Sequence, residues 1–196
     1  MLRSSIQTRI EELGVKTRYE SGEPGPGWGM EQDPEAFSRL ICLLAAYEPF
    51  DWSLDIGIGS GGATRLLREY VRIENTIVMD TGGHPLFPCW EEHKTHVPNT
   101  VEFRGDSHSE EARTFLSGLG RRFSLVGLDA DHSETGVLQD WNLIQPFLRG
   151  GAIVWFHDIH SFGGVRLLWN QLTTKHVPLL ETHDNLGLGV LRYGEP

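Results

Sequence analysis

The run Leu54-Asp55-Ile56-Gly57-Ile58-Gly59-Ser60-Gly61-Gly62-Ala63-Thr64 constrains the fold more than any other stretch of the chain. An apolar segment of strand length ends in closely spaced glycines and runs directly into a helical pattern. Glycine lets the chain bend sharply and lets a ligand approach the main chain, while the free N–H groups of the following helix favour an anionic group. A strand, a glycine turn and a helix in this order open an α/β domain that holds a nucleotide-like cofactor.

The spacing Gly57-x-Gly59-x-x-Gly62 also satisfies the dinucleotide fingerprint, so the glycines alone do not choose the cofactor. Asp55 discriminates better. It stands just before the first glycine, where a carboxylate repels a pyrophosphate and attracts an amine. S-adenosylmethionine, with its cationic amino acid tail and sulfonium, suits that position better than NAD. Use of Asp55 merely as a turn cap is the competing reading.

At 196 residues and 39% hydrophobic, the chain has material for one domain with a continuous core. Its formal charge of −10 argues against a nucleic-acid partner held by phosphate neutralisation. Arg65, Arg68 and Arg72 fall at helical spacing and read as a solvated helix face. Cys42 and Cys89 are too few for a disulfide framework, and Arg3, Arg9, Glu11 and Glu12 break any apolar leader. No run approaches a membrane span, and a cytoplasmic protein with a homodimer as the default assembly is expected.

Residues 1–32 are expected to form an N-terminal arm or lid, with a Gly/Pro-rich loop at 21–29, and residues 33–196 a single domain. Asp33-Pro34-Glu35 supplies a helix start, and Phe37, Leu40, Ile41 and Leu44 continue it at helical spacing. Strand-like runs follow at 54–56, 76–79, 101–103, 123–128 and 152–156, with helical patterns between several of them. That alternation predicts a Rossmann-like, doubly wound α/β fold with a mostly parallel sheet and helices on both faces. Two short runs, near 178–181 and 189–193, are expected to close the sheet as an antiparallel C-terminal hairpin.

In such a sheet ligands sit beyond the carboxyl ends of the strands. Those positions are acidic: Asp55, Asp80, Asp106-Ser107, Asp129-Ala130-Asp131-His132 and His157-Asp158. Asp80 is placed to accept hydrogen bonds from ribose hydroxyls, and Asp106 with Ser107 to address the adenine or ribose edge, a plain loop turn being the competing reading.

With these residues in view, the chain resembles class I S-adenosylmethionine-dependent methyltransferases, and among them the family that includes cephalosporin-hydroxylase-like proteins and metal-dependent sugar O-methyltransferases. The resemblance runs from about Gln32 to Tyr193 and is carried by Leu128-Asp129-Ala130-Asp131-His132-Ser133, Phe147 to Val154, Phe156-His157-Asp158-Ile159 and Gly164 to Trp169. It implies that Asp55, Gly57, Gly59 and Gly61 hold the methionine part, Asp80 the ribose, and Asp106 and Ser107 the adenine side. It also implies a divalent cation, Mg or Mn, at Asp129, His157 and Asp158. His157 stands where the better understood sugar methyltransferases carry an acid, and an imidazole there suits manganese, iron or zinc better than magnesium.

The chemistry then expected is methyl transfer to a hydroxylated small molecule, with Asp129 and His132 as the catalytic pair and His132 as general base. Asp131 is read as a turn residue or as a support behind the ligands rather than as a catalytic group. Alternatives remain open at this point: a metal-dependent hydroxylase-like activity using His132, His157 and Asp158, an NAD-dependent dehydrogenase that Asp55 disfavours, or a non-catalytic cofactor-binding module. The acceptor itself is not legible, because it is read by loops.

Overall fold

Asp33 accepts a hydrogen bond from the Ala36 N–H at 2.8 Å, and Pro34 occupies the first helical turn, so the start of the helix Pro34–Ala45 follows directly from its residue chemistry. The computed structural model describes residues 2–14, 33–184 and 186–194. The Gly/Pro-rich loop at 21–29 lies outside the described residues. Among the described residues seven strands form one sheet: β1 (Phe50–Ile56), β2 (Ile73–Asp80), β3 (Thr100–Arg104), β4 (Phe123–Leu128), β5 (Leu148–His157), β6 (Val177–Glu181) and β7 (Leu188–Arg192). The helices are α1 (Leu2–Gly14), α2 (Pro34–Ala45), α3 (Gly62–Tyr70), a short α4 (Trp90–His93), α5 (Glu110–Leu119), α6 (Glu134–Ile144) and α7 (Gly163–Leu172).

The strand order is β3-β2-β1-β4-β5-β7-β6, parallel from β3 through β5, with β7 inserted antiparallel between β5 and β6. The doubly wound sheet with its antiparallel C-terminal strands is thus as the sequence pattern requires. The order reverses between β1 and β4, which is where such a sheet opens a crevice.

Alternate side chains along each strand feed two cores, one on each face. Leu54, Ile56, Val126, Leu128, Val154 and Phe156 pack with residues of α5, α6 and α7. On the other face Phe50, Leu125, Ile153, Trp155 and Val190 pack with α1, α2 and α3, and Trp155 meets Phe37 edge-on at 6.1 Å between ring centroids. Each fully buried Leu, Ile or Phe contributes about 1.5–3 kcal/mol, so both layers hold the central strands firmly.

Helix α1 belongs to this second core. Ile6, Ile10 and Leu13 are buried against Phe37, Leu40 and Leu44, and Arg3–Glu35 and Arg9–Glu69 ion pairs tie its polar side down. Arg65 departs from the solvated face expected of it. Its side chain is 9% exposed, bonded to Glu69 at 2.8 Å, and lies 3.4 Å from the fully buried His93 of α4. The α4 segment covers α3 there, and helical spacing alone carries no sign of that cover.

Candidate active site

Beyond the carboxyl ends of the parallel strands opens a cleft of about 800 Å³. Its floor is the turn after β1. Gly57 has φ +77°, and a Cβ there would lie 2.2 Å from the Asp129 carbonyl oxygen, so only glycine lets the β1 and β4 turns approach this closely. Gly61 caps α3 at φ +82°, and a Cβ there would strike the Trp90 ring at 2.2 Å. The turn is therefore clamped by the β4 main chain on one side and by α4 on the other.

Asp55 lines the cleft and is 5% exposed. Its Oδ2 accepts from the Thr64 hydroxyl at 2.9 Å, while its Oδ1 is buried with no hydrogen-bond partner among the described residues. Burial pushes this carboxyl up to about 6, against the smaller opposing effect of the Thr64 bond. A buried, unpartnered oxygen on a carboxylate that lines a cleft costs stability until a donor arrives. An ammonium group fits that need, and a pyrophosphate does not.

Asp80, at the end of β2, is built into the same turn. Its Oδ2 accepts from the Ile58 and Gly59 N–H groups at 2.9 and 3.2 Å, and its Oδ1 from the Gly82 N–H at 2.7 Å. The carboxylate expected at the ribose thus also fixes the glycine turn. After β3, the buried Ser107 hydroxyl donates to Asp140 Oδ1 of α6 at 2.6 Å, and His108 Nε2 lies 3.2 Å from the same oxygen. Burial holds the Asp140 carboxyl above its ordinary range. Asp106 is more open, and its carboxylate accepts from the His108 N–H at 2.9 Å. Asp140 and His108 were not singled out in the sequence; the Asp140 side chain reaches this loop only because α6 packs beneath it.

Across the cleft, the turns after β4 and β5 bring two carboxylates and two imidazoles together. His132 Nε2 lies 3.4 Å from Asp129 Oδ1 and 3.1 Å from Asp158 Oδ2. His157 Nδ1 lies 3.4 and 3.1 Å from the same two oxygens. Asp158 reaches this position through a left-handed backbone, φ +62°, which is uncommon for a residue with a side chain and marks a constrained turn. The loop that carries His132 is set by local bonds: Asp131 accepts from the Ser133 N–H at 2.8 Å, and Ser133 caps α6 by accepting from the Gly136 N–H. Asp131 has the turn role expected of it.

Charge balances within this cluster. Burial opposes the imidazolium of His132, but hydrogen bonds and charge from Asp129 and Asp158 outweigh it and raise the group to about 9. His157 is raised to about 10 by the same competition. Both carboxyls are held below the usual range, as the imidazoles overcome the upward push of burial. Each imidazole thus favours the carboxylate form of its neighbours, and each carboxylate favours the imidazolium form.

The donors also suit a cation. One ligand atom each from Asp129, His132 and Asp158 lies within 4.8 Å of the others, and His157 touches the same carboxylate oxygens. A mixed nitrogen and oxygen set of this kind fits a borderline or hard divalent ion. The expected ligands Asp129, His157 and Asp158 and the expected base His132 are therefore brought into one cluster, with His132 also within the ligand grouping. Phe162, which the sequence did not mark, stacks on His132 at 4.5 Å between centroids and lines the cleft with Leu186 and Trp155.

A family model described as a methyltransferase domain matches residues 54–159, from the β1 strand to just past Asp158 and over half of the chain. The chain belongs to this methyltransferase family. Among curated proteins it is 24% identical over 136 residues to the uncharacterized protein R132 of Acanthamoeba polyphaga mimivirus, covering 64% of this chain. The chain spans 60% of the length of that relative. Among solved structures it is similar to the N-methyltransferase NodS of Bradyrhizobium japonicum in complex with S-adenosylhomocysteine, with TM-score 0.62, 14% identity and 98% of each chain covered. It is also similar to CalS11, a TDP-rhamnose 3'-O-methyltransferase of calicheamicin biosynthesis, with TM-score 0.61, 15% identity, and 80% and 77% of the two chains covered. A third, the O-methyltransferase of Bacillus cereus in complex with S-adenosylhomocysteine, has TM-score 0.59, 10% identity, and coverage of 97% and 88%. At these identities the likeness is one of fold. The family match spans both sides of the cleft, the glycine turn and the acid–imidazole cluster alike.

Proposed function

We propose that this methyltransferase-family protein moves the methyl group of S-adenosylmethionine to a hydroxyl of a small molecule, with a divalent cation held at Asp129, Asp158 and His157. The observation that carries the reading is the pairing, in one cleft, of the orphaned Asp55 oxygen beside the glycine turn with the carboxylate–imidazole cluster opposite. S-adenosylmethionine, when bound, supplies a methyl group on a positively charged sulfur. Asp55 receives the ammonium of its amino acid tail, Gly57, Gly59 and Gly61 give the main-chain approach, Asp80 takes the ribose, and Asp106 and Ser107 border the adenine. A divalent cation, when bound, supplies Lewis acidity toward a hydroxyl whose own pKa lies far above neutral.

Both imidazoles line the cleft, but His157 is the more buried, at 6% exposed, whereas His132 is more open and stacks on Phe162. His157 therefore serves as the third ligand, and His132 takes the acceptor's proton as the carbon–sulfur bond breaks and the carbon–oxygen bond forms. His132 does so only when the two carboxylates are neutralised by something other than its own proton. A hydroxylated acceptor, a sugar ring among the candidates, is favoured by this cluster and by the likeness to CalS11. A nucleic-acid acceptor is disfavoured by the formal charge of −10 and by the sequence Asp129-Ala130-Asp131-His132, which offers no proline–aromatic platform for a planar base. Free Cys42 and Cys89 agree with a cytoplasmic setting, and among the described residues no helix is long and apolar enough to cross a membrane.

Calorimetric titration of S-adenosylhomocysteine into chelator-treated protein, with and without manganese or magnesium and with NAD as competitor, tests the reading. Binding that excludes NAD is expected. Its absence under every condition would overturn the cofactor assignment, and an activity indifferent to chelator would remove the cation.

A further inference from the structure

A second group of cation-ligating side chains lies outside the cleft lining. One ligand atom each from His160, Glu181 and His183 falls within 4.8 Å of the others. His160 follows β5, Glu181 ends β6, and His183 lies in the turn that leads to β7. The His160 and His183 rings stack at 5.9 Å between centroids, inclined by 18°. Glu181 is oriented from behind: the Trp169 indole N–H donates to its Oε2 at 3.1 Å, which leaves Oε1 directed toward His160 Nε2 at 3.6 Å. That nitrogen also lies 2.9 Å from the Thr182 carbonyl oxygen. A ring nitrogen facing two oxygens acts as a donor, and a cation can take the place of its proton.

We propose that His160, Glu181 and His183 form a second metal site that takes a borderline divalent ion such as Zn²⁺. Two imidazoles and one carboxylate are a zinc-type donor set, poorly matched to magnesium or calcium, which prefer oxygen throughout. Three protein ligands leave a fourth tetrahedral position for water. The Trp169 contact is the outer support that orients a ligating carboxylate.

The ion would join two segments that already touch. The Ile159 N–H donates to the Gly187 carbonyl at 3.2 Å and the His160 N–H to the Leu186 carbonyl at 2.9 Å. Gly187 packs so closely that a Cβ there would lie 2.4 Å from the His160 ring. Leu186 lines the cleft, and Asp158 lies two residues before His160. Zinc at this site thus pins the Leu186 wall to the segment that carries Asp158 and Phe162, without sharing a ligand with the cleft cluster.

Zinc titrations of the full chain, followed by calorimetry and by the visible spectrum of the Co²⁺-loaded protein, test the proposal with the parent, His183→Ala, Glu181→Gln and Asp158→Asn. His183 is exposed and its loss leaves the core untouched. The expected result is one zinc site weakened at least tenfold in His183→Ala and Glu181→Gln and retained in Asp158→Asn, which alters only the cleft cluster. Equal zinc stoichiometry and affinity in the parent and His183→Ala would overturn the site. Amide exchange at Ile159 and His160 should slow on zinc addition in the parent and not in His183→Ala. Rates that ignore zinc in both would overturn the pinning.

Discussion

On the β1 side of the cleft, the lining is glycine main chain, Asp80 anchored to it, and Asp55 held by the Thr64 hydroxyl. On the β4–β5 side it is four side chains whose charges depend on one another. Asp80 bonds three N–H groups of its own neighbourhood, and Gly57 leaves no space between two turns, so the first side is shaped before any ligand arrives. Asp129, His132, His157 and Asp158 share two carboxylate oxygens among them and hold charge balance by carrying protons. The difference teaches where each kind of change should be felt. On the proposed reading, geometry governs the cofactor side and charge governs the acceptor side.

The largest effect should come from Gly57→Ala. The left-handed backbone costs an alanine about 1–2 kcal/mol, and a Cβ 2.2 Å from a main-chain oxygen cannot be accommodated by a rotamer change. S-adenosylhomocysteine binding should fall below detection in calorimetry, and the melting temperature should drop by roughly 2–8 °C. Parent-like binding would break the picture of a preformed cofactor side.

His132→Ala should separate the halves cleanly. Turnover is expected to fall by about 10² to 10⁴, the range of general-base catalysis, with S-adenosylhomocysteine affinity changed by no more than about twofold. Steady-state kinetics and calorimetry on the same preparation check both. Full turnover would remove His132 as the base, and a large loss of cofactor affinity would show the two sides to be coupled.

Asp55→Asn probes the one place where the cofactor side depends on charge. Folded Asp55 keeps its proton up to about pH 6, while the unfolded chain releases it near the ordinary value of 3.8. The native state binds more protons between those values, so stability falls as pH rises through that window, by up to roughly 3 kcal/mol in principle. The asparagine variant should therefore be more stable than the parent at pH 7, by about 1–2 kcal/mol after the cost of its own unpaired amide. It should also bind S-adenosylhomocysteine about 10- to 100-fold more weakly, the worth of a hydrogen bond to a charged group. In the parent, affinity should rise with pH until about 6 and then level off; in the variant it should be flat. Denaturant unfolding and titration calorimetry between pH 5 and 8 read both slopes.

The same contrast explains what could be read from the chain. The glycine turn, the strand order and the acids at the strand ends are local signals: apolar runs, turn residues and the rule that a parallel sheet gathers its carboxyl ends. Strand β4 shows this well, since its bounds Phe123–Leu128 coincide with the apolar run in the sequence. Arg65 shows the opposite. Its burial depends on α4, a segment between β2 and β3 that carries no periodic signal of its own. His132 and His157 could each be named, but their sharing of two oxygens depends on the left-handed turn at Asp158. Phe162 joins the cleft from just before α7, and Asp140 holds Ser107 from α6, and sequence spacing encodes neither contact.

Phe162→Ala should give the smallest effect and the sharpest test of what the acceptor side recognises. Phe162 is 45% exposed, lines the cleft and stacks on His132, so it has two separable uses. It can present an apolar face to the acceptor, or it can only hold the His132 imidazole in place. Loss of an aromatic contact is worth about 0.5–1.5 kcal/mol, hence a change of roughly two- to tenfold. If the ring meets the acceptor, the acceptor KM rises by that factor, kcat changes little, and Phe162→Leu fails to restore it, because a branched aliphatic chain offers no flat face. If the ring only steadies His132, kcat falls instead, KM holds, and leucine restores much of the loss by filling the same space. We expect the first pattern, since a residue needed only as a prop would be covered by the protein, and Phe162 lines the cleft and is 45% exposed.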